Sequence, residues 1–456
     1  GLRFMRCDCI PSSKQVPAFD KTMTKNSSFS DSQADTFSIE HARNMDSNDS
    51  LRGFRERFHI PLIGGEEAIY FTGNSLGLQP KSAKQALETE LEDWAKWGVE
   101  GHFHATNPWV DYHERFAEGL CHLTGAKPHE VVAMNALTVN LHLLLVSFYQ
   151  PSGKRTKILC EAKAFPSDQY ALASQIRFHG GNPETDLIEI QPRPGTHVID
   201  EADIEAVLTE SGDEIALVLM GGVHYFSGQL LDMERIARAA HAAGAYCGFD
   251  LAHAIGNVVL NLHDWNVDFA CWCSYKYLNS GPGAVAGAFI NEQHTGREDI
   301  PRLEGWWGHD AKKRFLMEPT FESMGTAEAW QMSNAPVLNM AVHAVALDLF
   351  LEAGLPDLRE RGDRLTAYLE QAIHDVALKN DIALEVITPA DSQRRGSQVS
   401  VIAHGYGKSL FDQLSKKGVV ADWREPNAIR MAPVPLYNSF EDIARFHAIF
   451  LEATAS

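Results

Sequence analysis

Two residues of complementary chemistry follow short apolar runs in the middle of the chain. Asp250 ends the run Ala245 to Phe249, with His253 three residues on. Lys276 follows the run Phe269 to Cys273, 26 residues beyond Asp250. In an α/β sheet, ligands bind beyond the carboxyl ends of strands, so an acid placed there is available to a ligand. A lysine in a tight turn, between an apolar strand and the small residues Asn279 to Gly283, is partly desolvated. Desolvation favours the neutral amine, which attacks aldehydes. Alone, each has a plainer role: Asp250 as a helix cap, Lys276 as a surface lysine at a loop edge. Together they meet the needs of pyridoxal phosphate (PLP), whose aldehyde takes an amine and whose ring nitrogen takes a carboxylate.

Other residues could complete such a site. Met134 to Asn140 precedes an apolar helix predicted from about Thr138 to Phe148. Thr138 is a natural N-cap, and the free N–H groups and positive dipole end behind it suit a phosphate. Ordinary capping explains the same residues. Phe165 follows the strand predicted at Lys157 to Cys160, where a flat ring can stack on a pyridine or simply fill the core. Arg430 lies between apolar residues, placed to grip a carboxylate in bidentate fashion or to form a structural ion pair. His102 and His104 form an H-x-H without further ligands nearby, so a pocket lining is the better reading than a metal site.

These residues need a scaffold. Ile215 to Met220 is almost unbroken apolar sequence, and Met233 to Ala243 is a helix stopped by Gly244. Short buried strands alternating with helices imply an α/β fold with a mostly parallel sheet covered on both faces. Lys81 to Trp97 reads as an amphipathic helix after Pro80, with Ala83, Leu87, Leu91 and Trp94 on one face. From about Met324 the texture changes to longer helices, including Ala341 to Leu351 and Leu365 to Val376. The expected organisation is a disordered leader over 1–50, a large α/β domain over 51–323, and a smaller α+β C-terminal domain over 324–456.

Composition sets outer limits. The 456 residues are 45% hydrophobic and 22% charged, enough for a sizeable core. A net charge of −20 disfavours nucleic acid and anionic membrane surfaces as partners. The richest apolar stretch, Val139 to Tyr149, carries His142 and is too short to span a bilayer. The first fifty residues are rich in Ser, Asp, Asn and Lys and lack the apolar centre of a secretory signal. Seven cysteines, mostly in apolar stretches and with only a C-x-C among them, suggest reduced thiols in a cytoplasmic protein and no metal centre.

Several long segments together resemble kynureninase. They are Tyr70 to Pro80, Met134 to Asn140, Glu161 to Asp168, Gly248 to Asn257, His263 to Asn279, Gly305 to His309 and Arg430 to Tyr437. The likeness runs from about Phe54 to about Leu451. It implies the fold-type I PLP architecture, a homodimer with active sites at the subunit interface, and hydrolytic Cβ–Cγ cleavage of L-kynurenine to anthranilate and L-alanine.

The resemblance also implies roles. Lys276 would carry PLP as a Schiff base, Asp250 would pair with the ring nitrogen, and Phe165 would stack on the ring. Leu137, Thr138, His253 and Tyr275 would contact the cofactor, Thr138 and Tyr275 at its phosphate, with Ser167 and Asp168 in the same loop. Tyr275 is also a candidate proton relay. Trp306 and Asn334 match further pocket positions, Trp306 reaching the neighbouring subunit's cofactor. Arg430 would hold the substrate α-carboxylate. His102, Ser333 and Asn334 resemble the branch that favours 3-hydroxy-L-kynurenine. At position 221 the family can have a hydroxyl residue, whereas this chain has Gly221 and so no such side-chain contact. Two other readings compete: a desulfurase-like PLP lyase, which needs a reactive cysteine later than Cys273, and a non-catalytic PLP-binding scaffold.

Overall fold

The computed structural model describes residues 36–455. In chain order, the elements that position the site are α1 (Ile39–Ser47), β1 (Ile69–Tyr70), α2 (Ala83–Trp97), β2 (Val131–Ala133), α3 (Leu137–Phe148), β3 (Lys157–Glu161), α4 (Pro166–Phe178), β4 (Leu187–Ile190), β5 (Ile215–Gly221), α5 (Met233–Ala242), β6 (Tyr246–Asp250), β7 (Phe269–Trp272) and β8 (Gly287–Ile290). The C-terminal part adds α6 (Val337–Ala353), α7 (Leu355–Asn380), β9 (Leu384–Val386), β10 (Val399–Ala403), β11 (Val419–Val420), β12 (Asp422–Arg424), β13 (Ala428–Met431) and α8 (Phe440–Thr454).

Seven strands form the central sheet in the order β2-β8-β7-β6-β5-β3-β4. Neighbours from β4 to β7 pair in parallel, and β8 runs antiparallel to both β7 and β2. The apolar runs follow from burial on both faces. Leu217 and Leu219 enter one core while Val218 and Met220 enter the other. Phe269 and Cys271 alternate with Ala270 and Trp272 in the same way. A strand buried on two faces has no polar side, so its period-2 signal vanishes into a continuous apolar segment. A second, antiparallel sheet has the order β9-β10-β13-β12.

Three expectations need correction. Order does not begin at Leu51. Helix α1 buries Ala42 in the small-domain core, and Asp46 accepts the N–H groups of Phe440 and Glu441 at 2.9 and 3.0 Å, at the start of α8. The part of the expected leader before residue 36 lies outside the described residues. The domain boundary at 324 also moves. Met340, Leu347 and Phe350 of α6 pack into the large-domain core, whereas the small-domain core starts at Leu365 and takes in Ile69 and Phe71 of the N-terminal segment. An apolar helix such as α6 must be covered around most of its circumference, and the large domain provides that cover.

Helix α2 forms where expected, but its expected apolar face is buried only at its start, at Ala83. Leu91 and Trp94 are 47% and 61% exposed, while Glu90 and Asp93 are buried. The carboxylate of Glu90 accepts from Asn107, Trp109 and Tyr112 at 3.1, 2.9 and 2.8 Å, and Asp93 accepts from the Thr106 N–H at 2.7 Å. Fully partnered acids can be buried, so Leu91 and Trp94 are left outward.

Asp49 and Arg361 are both buried, with Nε 2.6 Å from Oδ2. Removing one member of such a pair leaves an uncompensated charge, at a cost of about 3–5 kcal/mol. Asp49→Ala is therefore expected to lower the urea unfolding midpoint markedly. An unchanged midpoint would show that the 36–50 segment does not hold the small domain.

Candidate active site

Parallel pairing puts the carboxyl ends of β3, β5 and β6 side by side, with Gly221 opposite Asp250 in register. The chain leaves β7 into the turn that carries Lys276. A cavity of ≈ 180 Å³ opens at this edge. Its wall brings together Leu137, Thr138, Phe165, Ser167, Asp168, Asp250, His253, Tyr275 and Lys276.

Lys276 Nζ lies 3.0 Å from His253 Nε2 and 5.7 Å from the centroid of the Phe165 ring. Burial, and then the Lys276 charge, hold His253 well below its usual pKa, so its imidazole is neutral and can accept from the amine. Its Nδ1 has no partner. The turn itself is braced by Gly77, whose N–H donates to the Tyr275 carbonyl at 2.8 Å. A Cβ at Gly77 would come within 2.4 Å of the Lys276 carbonyl oxygen, so only glycine allows this approach.

Asp250 accepts the Ala252 N–H at 2.7 Å. Burial raises the pKa of Asp250, and burial together with the Asp250 charge pushes Asp168 well above the carboxylate range. The two acids behave as a pair that resists losing both protons. Asp168 Oδ1 is buried without a partner. A buried acidic pair with an orphaned oxygen fits a protonated pyridine nitrogen, which would supply the missing positive charge.

The phosphate end differs in detail from expectation. Helix α3 starts one residue earlier, after Ala136, so Thr138 is not the N-cap but sits in the first turn. Its Oγ1 is 2.8 Å from Ser167 Oγ, in the first turn of α4. Two helix N-termini thus meet through their hydroxyls, and both can direct N–H groups and dipole ends at an anion. Phe165 is 41% exposed and meets Tyr225 edge-on at 5.5 Å, so it belongs to the cavity and not to the core. Tyr275 lines the wall, and burial drives its phenol pKa upward, leaving the O–H intact as a donor.

Five expected residues lie outside this cavity wall. Arg430 is buried, but Nη1 donates to the Tyr225 carbonyl at 2.5 Å and Nη2 pairs with Asp422, its cross-strand neighbour on β12. The guanidinium is thus engaged, not open as expected. His102 contacts the Val99 carbonyl through Nδ1 at 2.9 Å and packs edge-on against Trp109. Trp306 is half exposed and donates to the Arg314 carbonyl at 3.0 Å. Ser333 and Asn334 are exposed.

Sequence reasoning assigned no role to Glu161, Val223, Tyr225 and Ala252, which also line the cavity. Glu161 ends an apolar strand as Asp250 does, and the same strand-end argument would have found it. Tyr225 and Asp422 left no comparable signal.

A lysine, a neutral histidine and an acidic pair at the carboxyl edge of a mostly parallel sheet define a fold-type I PLP-dependent enzyme. Solved structures share the fold. A mutant of the C–S lyase C-DES with glycine covalently linked to its PLP cofactor matches with a TM-score of 0.73 at 16% identity, over 87% of this chain and 99% of its own. The Escherichia coli cysteine desulfurase CsdA matches with a TM-score of 0.70 at 14% identity, over 89% and 98%. Family models match a kynureninase C-terminal domain over residues 358–450 and the DegT/DnrJ/EryC1/StrS aminotransferase family over 105–264.

Curated relatives narrow the class. Kynureninases of Christiangramia forsetii and Flavobacterium johnsoniae are 52% and 53% identical, over 91% and 90% of this chain and 98% and 96% of theirs. That of Myxococcus xanthus is 49% identical over 89% of this chain and 95% of its own. The chain belongs to the kynureninase family, PLP-dependent hydrolases of carbon–carbon bonds. The desulfurase-like alternative is not favoured, since its likeness is one of fold alone.

Lys276→Ala is expected to abolish the visible absorption of lysine-linked PLP, together with turnover. A persisting band in the purified variant would place the linkage elsewhere.

Proposed function

We propose that this chain hydrolyses L-kynurenine to anthranilate and L-alanine, and 3-hydroxy-L-kynurenine to 3-hydroxyanthranilate and L-alanine. The observation that carries this reading is the Lys276–His253 contact beside the Asp168–Asp250 pair, in a chain about half identical to curated kynureninases. Bound PLP supplies an electron sink for the carbanions of the reaction.

The chain's own residues do the rest. Asp250, supported by Asp168, keeps the ring nitrogen protonated. Phe165 presents its exposed face for stacking. Thr138 and Ser167, at their paired helix ends, hold the phosphate with Tyr275. Lys276 would receive the α-proton at Nζ. His253 is placed to accept from that amine and orient it. Tyr275, its phenol kept protonated by burial, relays protons between phosphate and amine. Arg430 takes the substrate α-carboxylate by exchanging its Asp422 partner for it.

The working form is a homodimer. Support comes from apolar side chains left outward on this chain: Leu91 and Trp94 of α2, together with Trp306 and Leu338. A second copy would cover them. Trp306, Asn334, Ser333 and His102 would then serve the partner's cavity. A cytoplasmic location is supported by Cys160, Cys247, Cys271 and Cys273, which are buried free thiols. Among the described residues no single helix is long and apolar enough to cross a membrane.

Anthranilate fluorescence after mixing the PLP-loaded protein with L-kynurenine tests the activity. Sustained release is expected, and none would favour a non-catalytic scaffold. Because His102 and Asn334 can each hydrogen-bond a ring hydroxyl, kcat/KM should be higher for 3-hydroxy-L-kynurenine. Equal values, or a preference for L-kynurenine, would remove the specificity assignment.

A further inference from the structure

We propose that Glu161 contacts the cofactor as a neutral carboxylic acid, supplying the hydrogen-bond donor that Gly221 cannot. The proposal rests on the PLP reading and extends it to a residue without an assigned role.

The placement comes first. Glu161 ends β3 and Gly221 ends the neighbouring strand β5, both in the cavity wall. The Gly221 N–H donates to Glu161 Oε1 at 3.0 Å. A Cβ built on Gly221 would lie 3.0 Å from that same oxygen, and the next nearest atom is the Val223 carbonyl at 3.7 Å. Any side chain at 221 would thus start out against the Glu161 carboxyl. With glycine there, no side chain at 221 covers the carboxyl.

The protonation state follows from the neighbours. Facing Glu161 are Asp250 from β6, Asp168 from α4 and Tyr225 from the loop after β5, while Cys160 beside it on β3 points to the other face of the sheet. Lys276 is the cation on the same wall. Glu161 is therefore a third acid beside a pair that already resists full ionisation. Burial first, and then the Asp250 charge, raise its pKa to about 7, against the Gly221 N–H, which favours the ionised form.

The two forms do opposite things. A protonated carboxyl has one O–H to donate, whereas a carboxylate only accepts. PLP brings an ionised phenolic oxygen as well as its phosphate. The phosphate has the helix ends, and the phenolic oxygen, met on one side by the lysine-bound nitrogen, would take a second donor from the wall. Below about pH 7 Glu161 can be that donor. Above it the donor is lost and an anion stands in its place, so PLP should loosen as the pH rises.

The test is equilibrium PLP binding to the full chain after cofactor removal, followed by absorbance from about pH 6 to about pH 8.5, a span on either side of the expected titration. For the unaltered protein Kd should rise about tenfold across this range, the equivalent of one charge-assisted hydrogen bond. Glu161→Gln keeps the shape and a donor but cannot ionise, so its Kd should stay near the low-pH value throughout. Gly221→Ser supplies a hydroxyl with Glu161 retained, its carboxyl shifting to admit the new Cβ, and should remove most of the alkaline loosening. It also keeps the test open if the Gln variant fails to fold, as judged by circular dichroism. A pH-independent Kd in the unaltered protein, or the same alkaline loosening in both variants, would overturn the proposal. Failure of the unaltered protein to bind PLP at any pH overturns the cofactor assignment itself.

Discussion

Ionised groups are tolerated in a protein interior only where neighbours answer their charge. The carboxyl edge of the central sheet gathers Glu161, Asp168 and Asp250 against one lysine. That gathering governs much of the molecule. The Asp250 charge raises the pKa values of Glu161 and Asp168, and His253 remains neutral beside the amine. Two helix N-termini aim their positive ends at the same cavity. The strands supply the rigid frame, because parallel neighbours in register present their last residues in one row. An arrangement so rich in protons and charges is poorly satisfied by itself, as the orphaned Asp168 oxygen and His253 nitrogen show. It is complementary to a ligand that carries both a cationic ring nitrogen and an anionic phosphate.

The small domain is built on a similar logic of compensation. Its core is closed by chain from far upstream: Ala42 packs into it, and Ile69 and Phe71 are part of it. Around that contact lie charged residues with partners, including Asp46 at the start of α8 and the buried Asp49–Arg361 pair. The N-terminal segment is thus as much a part of the C-terminal unit as the helices that follow Leu365.

The sequence made the chemistry more legible than the packing. Asp250 and Lys276 stood out because each follows an apolar strand, and strand ends in such sheets are functional positions. Phe165, Ser167 and Asp168 were reachable through a family motif, and they line one cavity with Lys276. Periodicity found helix α2 but not its orientation, since partnered acids outcompete an apolar stripe for the interior. Texture placed the domain boundary too early, because an apolar helix does not declare which core will cover it. Arg430 was legible as a buried arginine, but its engagement with Asp422 depends on a cross-strand register that no local pattern encodes. Thr138 illustrates the smallest scale. A helix capped two residues early, at Ala136, turns Thr138 from a cap into a first-turn hydroxyl.

The segment from Ile69 to Gly77 runs between the strand that carries Arg430 and the turn that carries Lys276. It lies beside β11 through Ile69 and Tyr70, the Phe71 carbonyl accepts the Ala432 N–H at 2.8 Å just past Arg430, and Gly77 abuts the Lys276 turn. Nine residues of backbone thereby tie the Arg430 strand to the Lys276 turn. An insertion or deletion in this strap would shift the guanidinium against the amine while leaving every chemical group in place.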